Sequence, residues 1–124
     1  MPEAGVGYLL CDDLMFTSRI TGTARSLGLT IKTARSVDVL EKMMEQQGPV
    51  CVLLDLGHAG LDVAGLVPRL KQKAARVVAY GSHVDAAGLR AAREAGCEPV
   101  LPRSKFVEVL PQELATWLGG ETER

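Results

Sequence analysis

Three carboxylates have the spacing to do chemistry: the adjacent pair Asp12-Asp13 and the single Asp55. Each follows a run of apolar side chains. Asp55 closes Val50-Cys51-Val52-Leu53-Leu54, with Gly57 two positions later, and Asp12 follows Val6-Gly7-Tyr8-Leu9-Leu10-Cys11. A run as short as the first, flanked by Gly48-Pro49 and Gly57, is too brief for an ordinary helix. It reads as a strand buried on both faces, in the middle of a parallel sheet. Asp55 then stands at the strand's carboxyl end, where open α/β sheets place their ligands, and the ends of the first and third strands are neighbours there. Carboxylates brought together repel, and a divalent cation relieves the conflict. Hard oxygen ligands that leave water positions open suit Mg²⁺. The alternative is simpler: Asp12 or Asp13 caps the next helix, and Asp55 is a solvated strand end.

The elements that must carry these acids alternate along the chain. Strand-like runs are 6–11, Thr30-Ile31-Lys32-Thr33-Ala34, 50–55, Ala75-Arg76-Val77-Val78-Ala79-Tyr80 and Pro99-Val100-Leu101-Pro102. The second alternates, so it is half exposed or at an edge. The prolines of the fifth cannot donate to a ladder, which sends it to an edge. Helical spacing fills the gaps. Phe16, Ile20, Ala24 and Leu27 make one stripe closed by Gly28. Ser36 caps a second helix carrying Val37, Leu40 and Met44, stopped by Gly48. Leu66 and Leu70 mark a third, ending at Lys71-Gln72-Lys73, with Pro68 expected in its first turn. Asp85 caps a fourth, Ala86 to Ala95, closed by Gly96. The last runs from about Lys105 to Leu118 with Leu110, Leu114 and Leu118 aligned, and Pro111 bends it or delays its start. Five β-α repeats joined by right-handed crossovers make a three-layer α/β sandwich. Residues 1–118 form one domain, and 119–124 read as a flexible tail.

Composition narrows the function classes. At 124 residues, 47% of them apolar, the chain is long enough for one real core. Aromatics are 4% and the formal net charge is −1 without basic clusters, which argues against nucleic-acid binding. No apolar run is long enough to span a membrane, and the start Met-Pro-Glu-Ala lacks signal-peptide character, so a cytoplasmic location is expected. Cys11, Cys51 and Cys97 are far apart and each lies in or beside an apolar run, so buried reduced thiols are expected. His58 reads as a surface loop residue, and Gly57-His58-Ala59-Gly60 lacks the spacing of a nucleotide cradle.

Leu9-Leu10-Cys11-Asp12-Asp13, Val52-Leu53-Leu54-Asp55-Leu56 and the (βα)₅ order resemble the receiver domain of bacterial response regulators, the CheY-like superfamily. Ala95-Gly96 and Arg103-Ser104-Lys105-Phe106 extend the resemblance, which spans about residues 6 to 118. It implies a flavodoxin-like fold with sheet order 2-1-3-4-5 and a non-enzymatic, cytoplasmic, stand-alone two-component signalling or phosphorelay module. It implies Asp55 as phosphoacceptor from a histidine kinase or phosphotransfer protein, and Mg²⁺ held by Asp13 directly, Asp12 through water, Asp55, and the Gly57 carbonyl. Output would pass to a partner protein through the face formed by the fourth helix, fifth strand and fifth helix, in a monomer or weak homodimer.

The chain also departs from that family. Where the family has a Thr or Ser ending the fourth strand, Gly81 stands, with Ser82 next to it. Ser82 either substitutes after a one-residue shift or caps a turn. Arg103 stands where the family has a Lys followed by a cis Pro. It either pairs bidentately with a phosphoryl group or, with Lys105, is an exposed helix-start charge. Val100 stands at the family's aromatic switch position. A degenerate receiver, serving only as an interaction scaffold without phosphorylation, is the competing reading.

Overall fold

The computed structural model describes residues 6–46 and 51–119. Gly48-Pro49, Val50 and residues 120–124 lie outside them, and with them the expected stop at Gly48 and all of the expected tail except Gly119, which belongs to the last helix.

Among the described residues ten elements alternate: β1 (Val6–Leu10), α1 (Leu14–Ser26), β2 (Thr30–Ala34), α2 (Val37–Gln46), β3 (Cys51–Asp55), α3 (Val63–Gln72), β4 (Arg76–Gly81), α4 (Ala86–Ala95), β5 (Val100–Pro102) and α5 (Arg103–Gly119). The strands are all parallel, in the order β2-β1-β3-β4-β5. As the sequence indicates, β3 is central and wholly buried, while β2 and β5 form the edges.

Alternation along each strand sorts the core into two layers. Tyr8, Leu10, Val52, Leu54, Val77 and Ala79 face α2, α3 and α4. Leu9, Cys11, Cys51, Leu53, Val78 and Tyr80 face α1 and α5. By the same parity Asp55 leaves β3 on the α1–α5 side. On that side α5 comes close over β1: a Cβ on Gly7 would stand 3.0 Å from Leu118 Cδ1. All three cysteines are free and buried, and burial pushes the Cys51 thiol up to about 12.

Helix boundaries follow local chemistry. Leu29 N–H reaches the Ala24 carbonyl and Gly28 N–H reaches that of Arg25, a Schellman ending that needs the positive φ of Gly28, 75°. Ser36 caps α2 through Val39 N–H.

Two expectations are corrected. Asp62 caps α3 through Gly65 N–H, so the helix starts at Val63 and Pro68 lies inside it rather than in its first turn. α5 starts at Arg103 rather than Lys105 and runs through Pro111 to Gly119, burying Phe106, Leu110, Leu114, Trp117 and Leu118. That apolar face, continuous across Pro111, holds the helix together as one piece. No helix among the described residues is long and apolar enough to cross a membrane.

Candidate functional site at the carboxyl rim

Asp55 is the buried acid of the sheet, 5% exposed. Three neighbours surround its carboxylate. Gly57 N–H donates to Oδ1 at 2.9 Å, the Cys11 thiol lies 3.5 Å from Oδ2, and Arg103 Nη2 lies 3.6 Å from Oδ1. The turn can close this tightly because residue 57 has no side chain: a Cβ there would stand 3.3 Å from Oδ1. Arg103 is the first residue of α5, so the length of β5 and the helix start together bring its guanidinium over Asp55.

The other two acids are engaged elsewhere. Asp13 is the N-cap of α1, its Oδ1 accepting from Met15 N–H at 3.0 Å and Phe16 N–H at 3.1 Å. The helix's unpaired first-turn donors claim it. Asp12 is exposed, and its Oδ2 lies 3.9 Å from His58 Nε2. The expected crevice of Asp12, Asp13 and Asp55 is therefore not preassembled. Among the described residues no group of three or more His, Cys, Asp or Glu side chains is arranged to hold a metal ion. Gly57 contributes its N–H to the Asp55 carboxylate. As they stand, Asp13 Oδ1 serves the start of α1, and the group facing Asp55 is a guanidinium rather than a second carboxylate.

The remaining expectations divide. Ser82 acts as a turn cap, accepting from Val84 N–H at 3.3 Å. Gly81 ends β4, and a Cβ there would meet Leu56 Cβ at 3.1 Å, so Leu56 fills the space a Thr side chain would need. Lys105 points away to Glu108, 3.7 Å distant. Val100 is buried in β5, paired with Ala79. His58 lies in a turn as expected, but its side chain is only 8% exposed, and Nε2 donates to the Arg35 carbonyl at 2.7 Å, tying the β3–α3 turn to the β2–α2 turn. Among the described residues its buried Nδ1 has no partner.

Sequence reasoning missed the aromatic chain beneath this rim. Phe16 and Tyr80 have ring centroids 5.0 Å apart, Tyr80 and Phe106 stack at 4.4 Å, and Phe106 and Trp117 stack at 5.9 Å. Arg103 Cζ lies 5.6 Å from the Phe16 centroid, so the guanidinium that meets Asp55 also rests on a ring. Burial first, then the Asp55 carboxylate and Cys11, push the Tyr80 phenol far above its ordinary range. Among the described residues its buried hydroxyl has no hydrogen-bond partner, although the Cys11 thiol lies beside it. Strand register holds the signal that would have found it, because Tyr80 is directly opposite Asp55.

Compared by sequence, the chain matches no family model and no curated protein. Compared by structure, it matches a response regulator (signal receiver domain) from Bermanella marisrubri at TM-score 0.80 and 17% identity, covering 93% of this chain and 98% of that one. The chain has the receiver fold. A response regulator from Thermotoga maritima superposes at TM-score 0.79 with 10% identity, over 94% of this chain and 98% of that one. NtrX from Brucella abortus, in complex with ATP, matches at TM-score 0.80 and 19% identity over 94% of this chain, which spans only 27% of the NtrX chain. At these identities what is shared with these structures is the receiver fold.

Proposed function

We propose that this chain is a receiver-type signalling module that acts by binding a partner protein, with Asp55 charge-balanced inside the chain by Arg103. The observation carrying this reading is the environment of Asp55: Arg103 at 3.6 Å, with Asp13 committed to α1. A carboxylate that already faces a guanidinium needs neither metal nor phosphoryl group to be compensated. The rim also offers apolar side chains to a partner. Leu14 is 69%, Met15 85% and Val84 76% exposed, all at the carboxyl ends of the strands.

A second reading is Mg²⁺-dependent phosphoryl acceptance on Asp55, from a histidine kinase or phosphotransfer protein, with output through the α4–β5–α5 face. One observation favours it. At 3.6 Å the Arg103 contact is longer than a hydrogen bond, so the guanidinium is loose enough to move onto a phosphoryl oxygen. That group would bring roughly −2 of charge, which the cation and Arg103 would share.

Incubation with Mg²⁺ and acetyl phosphate, followed by intact-mass measurement, separates the two. The first reading predicts no adduct. A phosphoryl adduct that disappears in Asp55→Asn would establish the second.

A further inference from the structure

On the outer side of Arg103 lies an open cleft of about 620 Å³, lined by Phe16, Arg19, Ser82, His83, Arg103, Ser104 and Val107. Its volume is in the range of small-molecule sites, about 300–1,000 Å³. Its chemistry is one-sided. Two guanidinium groups, an imidazole and two hydroxyls line it, and none of its lining residues is acidic. Asp55 is not among them, lying buried beneath Arg103.

No residue lining the cleft balances its positive charge. Among the described residues Arg19 and His83 have no ion-pair partner, and the Ser104 hydroxyl has no hydrogen bond. Arg103 shares only the long contact with Asp55. Arg103 and Ser104, which line the cleft, open the first turn of α5, whose N–H groups have no partner within a helix. Beside these donors stand an aromatic ring, Phe16, and the aliphatic Val107. Bidentate guanidinium groups with hydroxyls select a phosphate head group, and the ring and aliphatic wall suit an apolar body.

We infer that this cleft is a binding site for a small organic phosphate monoester, with Arg19 and Arg103 gripping the phosphate and Phe16 and Val107 flanking its organic part. This goes beyond the signalling reading and needs no phosphorylation of Asp55. The ligand and Asp55 compete for one guanidinium, so occupancy of the cleft draws Arg103 away from Asp55.

The test is a titration of the full chain with phenyl phosphate, without Mg²⁺ or a phosphodonor, followed by backbone amide NMR. Expected are saturable shifts grouped at Phe16, Arg19, Ser82, His83, Arg103, Ser104 and Val107. Arg19→Gln, a substitution at an exposed position, weakens binding roughly tenfold, the scale of one lost hydrogen bond to a charged group. Asp55→Asn binds at least as tightly as the wild type, because Arg103 loses its internal competitor. That same variant removes any phosphoryl acceptor, so this test stands or falls apart from phosphorylation. Shifts scattered over the surface, an unchanged affinity in Arg19→Gln, or inorganic phosphate binding as tightly as phenyl phosphate would each overturn the assignment.

Discussion

The carboxyl ends of β1 and β3 read alike in sequence, each an apolar run stopping at aspartate, yet they fold into opposite electrostatic situations. At the end of β1, Asp13 is exposed and accepts two amide hydrogens from α1, while Asp12 faces solvent beside His58. At the end of β3, Asp55 is buried, tied to Gly57 N–H and faced by Arg103. The segment leaving each strand decides the difference. A helix starting immediately after β1 claims the nearest acid as its cap. The glycine turn after β3 leaves its acid pointing inward, toward α5. Acids that look interchangeable on paper thus do separate work: one shapes a helix, the other sets the charge of the rim.

The largest effect that breaks this comparison is expected beneath the β3 side. Phe106 is fully buried and stacks on both Tyr80 and Trp117. Phe106→Ala should cost about 3–5 kcal/mol, read from urea unfolding. A loss well under that range would mean the aromatic chain does not support the rim. Next is Gly81→Thr, which restores the hydroxyl residue expected at the end of β4. Because Leu56 occupies that space, the substitution should cost about 1–3 kcal/mol. Adding Leu56→Ala should recover part of the penalty, and strict additivity in the double-mutant cycle would show that the two positions do not touch.

Arg103→Gln sharpens the β3 side. It leaves Asp55 buried without its counter-charge, but Arg103 is 44% exposed, so solvent screens the pair. A loss of about 1–2 kcal/mol is expected, between the values for exposed and buried pairs. The smallest effect belongs to β1. Asp13→Ala should cost about 1 kcal/mol through the lost cap, and Asp13→Asn should be nearly neutral because asparagine caps as well. Equal losses in both variants would point to a role for the charge beyond capping.

Much of the fold was legible in the sequence because periodicity and caps agreed with each other. The buried run ending at Asp55, the Gly28 and Gly96 stops and the Asp85 cap each announce their element locally. Pro68 and the start of α5 were misplaced because tertiary burial overrides proline's local preference: Leu66 and Val67 are buried beside Pro68 inside α3, and the apolar face of α5 is continuous across Pro111. The candidate site was legible as a set of residue types and not as a geometry. Nothing in Asp12-Asp13 says that a helix will take one carboxylate. Nothing near Asp55 in the chain announces that Arg103 and Cys11 will meet its carboxylate or that Tyr80 will stand opposite it, since this depends on register and on where α5 begins. The tether of His58 is hidden for the same reason, because its partner, the Arg35 carbonyl, comes from another loop.

The central claim is that Arg103, rather than a bound cation, supplies the counter-charge of Asp55. Titration with Mg²⁺, followed at the amides of Asp12, Asp13, Asp55 and Gly57 in the wild type and in Arg103→Gln, tests it most directly. The account predicts no saturable shift in the wild type at millimolar Mg²⁺, with any response emerging only once the guanidinium is removed. Saturable wild-type shifts centred on Asp13 and Asp55 would contradict it.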